Sequence, residues 1–336
     1  MMEENQRFIS FVFKLLTAML VFAGMFVWAM ILGAADISVK DVWLALTTNE
    51  IGDNILIIRE IRFPREIAAI FVGAALAVSG AIMQGMTKNP LADPGLLGLT
   101  AGANAALAIT IAFFPSVNYL GIIIVCFIGA AVGGIFVFGV SSIKKGGFTP
   151  FRIVLAGVAV STFLNALAEG VAIYYKISKE VSMWTAGGMM GTSWRQLQII
   201  APFILIGILI ALFLSRQLTI LSLSEEIAVG LGQKTTQIKV MLFIINILLV
   251  GASVALVGNM VFIGLMIPHM ARFIVGTDYR FIIPMSVILG STVILFADTL
   301  GRTINAPFET SVAAIVAMMG LPFFLFIAHK GGKTFS

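Results

Sequence analysis

Polar side chains are scarce in this 336-residue chain, so the few that stand inside apolar stretches carry most of its chemical information. Asn165 and Glu169 lie four residues apart, which puts an amide and a carboxylate on one face of a helix, and an ionisable group in such a segment is a functional candidate by default. Arg62, Arg65 and Arg302 offer planar forks suited to bidentate pairing with carboxylates. A polar run from 221 to 239 contains Ser224-Glu225-Glu226-Ile227-Ala228-Val229-Gly230-Leu231-Gly232, with an N-cap serine, two carboxylates in the first turn and glycines able to end a short helix. The two histidines, His269 and His329, have no partner at ligand spacing, so no metal site is expected. Nor does a Ser–His pair or a pair of facing aspartates suggest catalysis. Gly332-Lys333-Thr334 resembles the end of a phosphate-binding loop, but position 327 is Ile and no helix follows to receive the phosphate. No catalytic, metal or cofactor residue is therefore assigned, and any ATP must be used by another subunit.

The elements that position these groups follow from composition. The chain is 60% hydrophobic and 11% charged, with a mean hydropathy of +1.06, whereas soluble domains carry roughly 25% charged residues. Such a surface needs lipid, and in hydrocarbon every backbone amide must be satisfied internally, which leaves helices or closed barrels. The apolar runs are about 20 residues long without period-two alternation, as a spanning helix requires. Spans are expected at 11–33, 66–86, 95–114, 119–141, 151–174, 197–214, 237–258, 281–299 and 310–328. A shorter piece, 260–270, ends in Pro268-His269 and is expected to cross only in part. The fold class is thus an all-α, polytopic membrane protein of about ten helices, a single permease-like domain over 1–336. The run at 11–33 reads as a retained first span rather than a cleaved leader. Cys126, the single cysteine, reads as packing.

With the N-terminus inside, the cytoplasmic side receives Lys88, Lys144, Lys145, Arg152, Arg216, Lys234, Lys239, Arg272, Arg280, Lys330 and Lys333, together with Arg7 and Lys14, a moderate bias in the expected direction. Arg59, Arg62 and Arg65 oppose it. The net charge of +5 is explained by these scattered loops, and nucleic acid is not expected as a partner. An offset of 178 residues sets Val72-Gly73-Ala74-Ala75-Leu76-Ala77-Val78-Ser79-Gly80 on Val250-Gly251-Ala252-Ser253-Val254-Ala255-Leu256-Val257-Gly258, with Pro90 on Pro268. The halves, about 62–175 and 237–328 (spans 2–5 and 7–10), would run in opposite directions, an inverted repeat of the kind that supports alternating access. Gln84, Asn89, Pro90 and Pro268 beside the proline breaks join Asn165 and Glu169 as pathway candidates.

Arg62-Phe63-Pro64-Arg65, Gly80-Ala81-Ile82-Met83-Gln84, Asn89-Pro90-Leu91-Ala92-Asp93-Pro94-Gly95-Leu96-Leu97-Gly98, Phe262 to His269 and Ala297-Asp298 followed by Arg302 together resemble the iron-siderophore and vitamin B12 permease family. The resemblance covers nearly the whole chain. It departs before the last span, where Glu309 is followed by Thr310-Ser311-Val312 instead of the family's usual Pro-Val-Gly. It implies ten helices and a second permease subunit, identical or homologous. It also implies two cytoplasmic ATPase subunits and an extracytoplasmic substrate-binding protein, in a bacterial cytoplasmic membrane.

Residue by residue, the resemblance implies that Ser224, Glu225, Glu226, Ala228, Gly230, Leu231 and Gly232 form the helix that docks on the ATPase. It likewise implies that Arg62, Arg65 and Arg302 receive carboxylates of the binding protein. Iron-siderophore import, with a hydroxamate chelate favoured, is the expected function. Cobalamin and haem are the alternatives within the family, and an ion-coupled secondary transporter the alternative outside it, although beyond Glu169 and Asp298 the spans offer few ion-coordinating groups.

Overall fold

Helices account for all regular structure among the described residues, which in this computed structural model are 2–33, 37–50, 52–95, 97–142 and 150–331. Leu96, Lys144, Lys145 and the Gly332-Lys333-Thr334 stretch fall outside them. The first helix, α1 (Met2–Ile31), keeps its apolar window unburied, with Phe13 and Leu20 about three-quarters exposed, as befits contact with lipid. Next comes α2 (Val39–Thr47), begun by a capping box in which the Ser38 hydroxyl accepts from the Asp41 amide and the Asp41 carboxylate holds the Ser38 amide. The short α3 (Asp53–Ile57) runs into a π-helical turn, Ile58–Arg62, and then α4 (Phe63–Thr87). A widened turn directly before Pro64 relieves the clash of its ring with the preceding carbonyls.

From α4 the chain turns at Lys88, which is left-handed at φ 52°, and the Asn89 side chain accepts from the Leu91 amide. The helix that follows, α5 (Leu99–Phe113), starts four residues later than the 95–114 expected, because Gly98 is left-handed (φ 80°) and the Asp93 carboxylate folds the stretch before it onto the Gly95 amide. Then come α6 (Tyr119–Ser142), α7 (Pro150–Tyr174), the short α8 (Ser178–Thr185) and α9 (Trp194–Phe213). Two further short helices, α10 (Ser215–Leu223) and α11 (Glu225–Gly230), lead into α12 (Thr235–Val257). The last three are α13 (Ile263–Val275), α14 (Tyr279–Thr303) and α15 (Val312–Gly331).

Among the described residues seven helices are long and apolar enough to cross a membrane: α1, α3 through α4, α6, α7, α9, α12 and α14. Three apolar helices are shorter, α5, α13 and the Val312–Leu325 part of α15, where two full spans and one partial span were expected. The partial span also differs in extent. Pro268 does not end it, since α13 passes through the proline to Val275.

The centre of the bundle is α4. Its small residues let backbones meet, the usual way membrane helices pack without a hydrophobic drive. A Cβ on Gly73 would sit 2.3 Å from the Gly290 carbonyl oxygen of α14, and one on Gly80 would sit 1.9 Å from that of Gly264 on α13. In the other half, a Cβ on Gly251 of α12 would meet Phe127 of α6.

Candidate functional site

Three groups of polar side chains stand out, at the start of α4, at its end, and beside α7. At its start, Arg62, Arg65 and Arg302 are each about 95% buried, together with Glu66 and Asp298, which are fully buried. Arg65 donates from Nε and Nη2 to Asp298 at 2.8–3.1 Å and from Nη1 and Nη2 to Glu309 at 2.7 and 3.0 Å. Arg302 pairs with Glu66 and lies 3.1 Å from Asp298 Oδ2 one helical turn back. Arg62 Nη1 donates to the carbonyls of Met30 (2.7 Å) and Ile31 (2.8 Å), and Arg302 reaches those of Ala29 and Leu32.

The acceptors explain why so much positive charge sits at this end of the bundle. The last carbonyls of α1 have no partner within their own helix and no basic residue in its last turn, so Arg62, at the end of the π-helical turn before α4, and Arg302 of α14 cap them across the bundle. Arg59 does the same for α2, donating to the carbonyl of Ala45, and also to that of Glu50 in the loop that follows. The bidentate pairing expected with an incoming protein is met for Arg65 inside the chain, by Asp298 and Glu309. Sequence reading missed Glu66, whose ion-pair partner Arg302 lies 236 residues away and leaves no local spacing to reveal it.

Toward the end of α4, Gln84 is buried and donates from Nε2 to the carbonyls of Gly264 (3.1 Å) and Leu265 (3.3 Å). The Gly264 carbonyl is the one Pro268 leaves without its helical amide, four residues back. Gln84 therefore supplies the missing donor from a neighbouring helix, which is why α13 survives its proline. Its own Oε1 accepts from Arg272, whose Nη2 also lies 3.2 Å from His269 Nδ1. Gln84 and Pro268, expected along a pathway, are both buried on helices α4 and α13, which pack together; Asn89 and Pro90 shape the turn after α4.

Asn165 and Glu169 are both exposed on α7 and line one cavity of about 320 Å³ with Asn104 of α5, Ser178 and Ser182 of α8, and Asn259. Phe113 packs edge-on against Tyr175 at 5.0 Å near the same end of α7. Asn104 and Asn259 were not legible as site residues: an asparagine in a small-residue helix, and one after a glycine break, have no spacing to betray them. Their Asn165 and Glu169 neighbours did.

The polar run between α10 and α12 folds as its residues dictate. Ser224 Oγ accepts from the Ile227 amide at 3.0 Å and begins α11, Gly232 is left-handed at φ 78°, and Glu225 pairs with Lys239 of α12 at 2.7 Å. That bond from Lys239 holds the Glu225 carboxyl below the usual glutamate range. Ala228 faces inward, while Ile227, Val229 and Leu231 are about half exposed or more, an apolar surface on a solvent-side helix.

Residues 16–330 match the model of the FecCD transport family. The chain belongs to that family. The iron(3+)-hydroxamate import system permease protein FhuB of Bacillus subtilis is 43% identical over 300 residues, covering 89% of this chain and 78% of that one. The Fe(3+)-citrate import system permease protein YfmD of the same organism is 39% identical, covering 89% of each. A solved metal-chelate type ABC transporter in an inward-facing conformation superposes with a TM-score of 0.80 at 25% identity, covering 95% of this chain and 99% of that one. As a member of this family the protein is a multi-pass transport permease of the bacterial cytoplasmic membrane.

Proposed function

We propose that this chain is the membrane-spanning subunit of an ATP-driven importer that carries ferric hydroxamate chelates inward. The observation that carries the reading is its 43% identity, along 89% of its length, to a permease named for iron(3+)-hydroxamate import. In this reading the seven long and three short apolar helices make ten passes with the N-terminus inside, and the two halves alternate access across the 178-residue repeat. The partners are a second permease subunit, identical or related, two ATPase subunits and an external binding protein. The exposed apolar face of α11 seats on the ATPase, and no cofactor is held by this chain. Arg62, Arg65 and Arg302 dock the binding protein only by exchanging their internal carboxylate and carbonyl partners for its carboxylates.

A second cargo, ferric citrate, is favoured by the 39% identical relative. Uptake of radiolabelled ferric hydroxamate, citrate, catecholate and haem by cells lacking this chain, with and without it restored, separates them. Restored hydroxamate uptake supports the reading, and restoration of citrate alone replaces it with the second.

A further inference from the structure

The cavity beside α7 has a chemistry of its own. Its lining carries a single carboxylate, Glu169, and no basic side chain. None of the ion pairs among the described residues involves Glu169. Asn104 is 3% exposed, and its side-chain Oδ1 has no hydrogen-bond partner. A buried amide oxygen left unpaired costs about 1–3 kcal/mol unless a ligand satisfies it. Asn165, Ser178, Ser182 and Asn259 add further oxygens. The amides and hydroxyls can donate or accept, so the one charge, Glu169, and the open acceptor on Asn104 decide the complement: a compact cation with several N–H donors. At about 320 Å³ the cavity is at the small end of ligand sites, large enough for an arm of a chelate rather than the whole.

We propose that this cavity receives a primary ammonium group pendant on a ferric trihydroxamate, paired with Glu169 and bonded to Asn104, and so selects among chelates by charge. The proposal rests on the hydroxamate reading. Three hydroxamates, each a monoanion, leave iron(III) neutral, so a free amine makes the complex a cation. Three catecholates, each a dianion, leave it a trianion that Glu169 repels. Lys176 and Lys179 lie nearby in sequence but outside the lining.

The test compares uptake of radiolabelled ferric trihydroxamate bearing a free amine with its N-acetylated form, which removes the charge at nearly constant shape. The readout is the ratio of the two within one strain, so differences in abundance cancel. Glu169→Gln is expected to lower the amine-to-acetyl ratio roughly tenfold, an effect that shrinks as salt is raised. Glu169→Asp keeps the charge and is expected to keep most of the preference. Glu180→Gln, on α8 but outside this lining, is expected to leave the ratio unchanged. An unchanged ratio in Glu169→Gln, or an equal fall in Glu180→Gln, overturns the proposal. Failure of the unaltered chain to import either form, with citrate still imported, overturns the hydroxamate reading and this inference with it.

Discussion

Arg65 shows how a single side chain joins distant parts of the chain, since its fork is shared between Asp298, 233 residues away, and Glu309, 244 residues away. Truncating one partner of such a buried group strands the others, at a cost of about 3–5 kcal/mol. Arg65→Ala should therefore lower the thermal unfolding midpoint of the detergent-solubilised protein sharply, and adding Asp298→Asn should restore part of it. A stable Arg65→Ala protein would mean that the cluster holds nothing together. Gln84 makes a quieter case. Gln84→Leu removes the donor that replaces the missing Pro268 amide, and about 1–3 kcal/mol of stability should go with it. Pro268→Ala in the same background restores the amide to α13, so it should recover much of the loss in the same melting measurement.

Among the elements, α11 separates structure from coupling. A Cβ on Gly230 meets nothing within 4 Å, so Gly230→Arg should fold and reach the membrane normally while transport falls, because the bulk intrudes only on whatever seats against the helix. Normal uptake by that variant would remove the docking role. The Glu225–Lys239 pair ties α11 to α12. A carboxylate whose folded value is depressed contributes stability above its unfolded value, near 4.3, and loses it as pH falls through the folded value. The protection factors of the α11 amides, which correct for base-catalysed intrinsic exchange, should thus be insensitive to pH through the neutral range and fall only in acid. The capped start at Ser224 and the left-handed Gly232 were readable in the sequence because both signals are local. The capping of α1 by Arg62 and Arg302 was not, since the acceptors are backbone carbonyls that any residue could present. The lengths of α5 and α13 were misjudged for a related reason: apolar composition continues through Gly98 and Pro268, and only backbone geometry shows where helix begins and persists.

For the whole molecule, lipid as solvent and the order of the long helices were legible from composition and run length alone, and the family follows from motifs spread over most of the chain. The cavity beside α7 was half legible: the α7 spacing pointed to Asn165 and Glu169, but α5 and the loop after α12 come to it by tertiary packing. Close backbone approach is what the packing depends on. Gly80→Val should leave little properly folded protein in the membrane, and Gly230→Val, equally large but in open space, should be tolerated. Comparing the two by monodispersity after extraction checks this.

The backbone contacts at Gly73 and Gly80, with the Gln84 bridge, leave α4, α13 and α14 no room to slide past one another. In the proposed alternating-access cycle these three are expected to travel as one rigid block, with the change in geometry taken up at the joints around it. Spin labels on α4 and α14 should hold one separation throughout the cycle, while pairs from α4 to α7 change theirs.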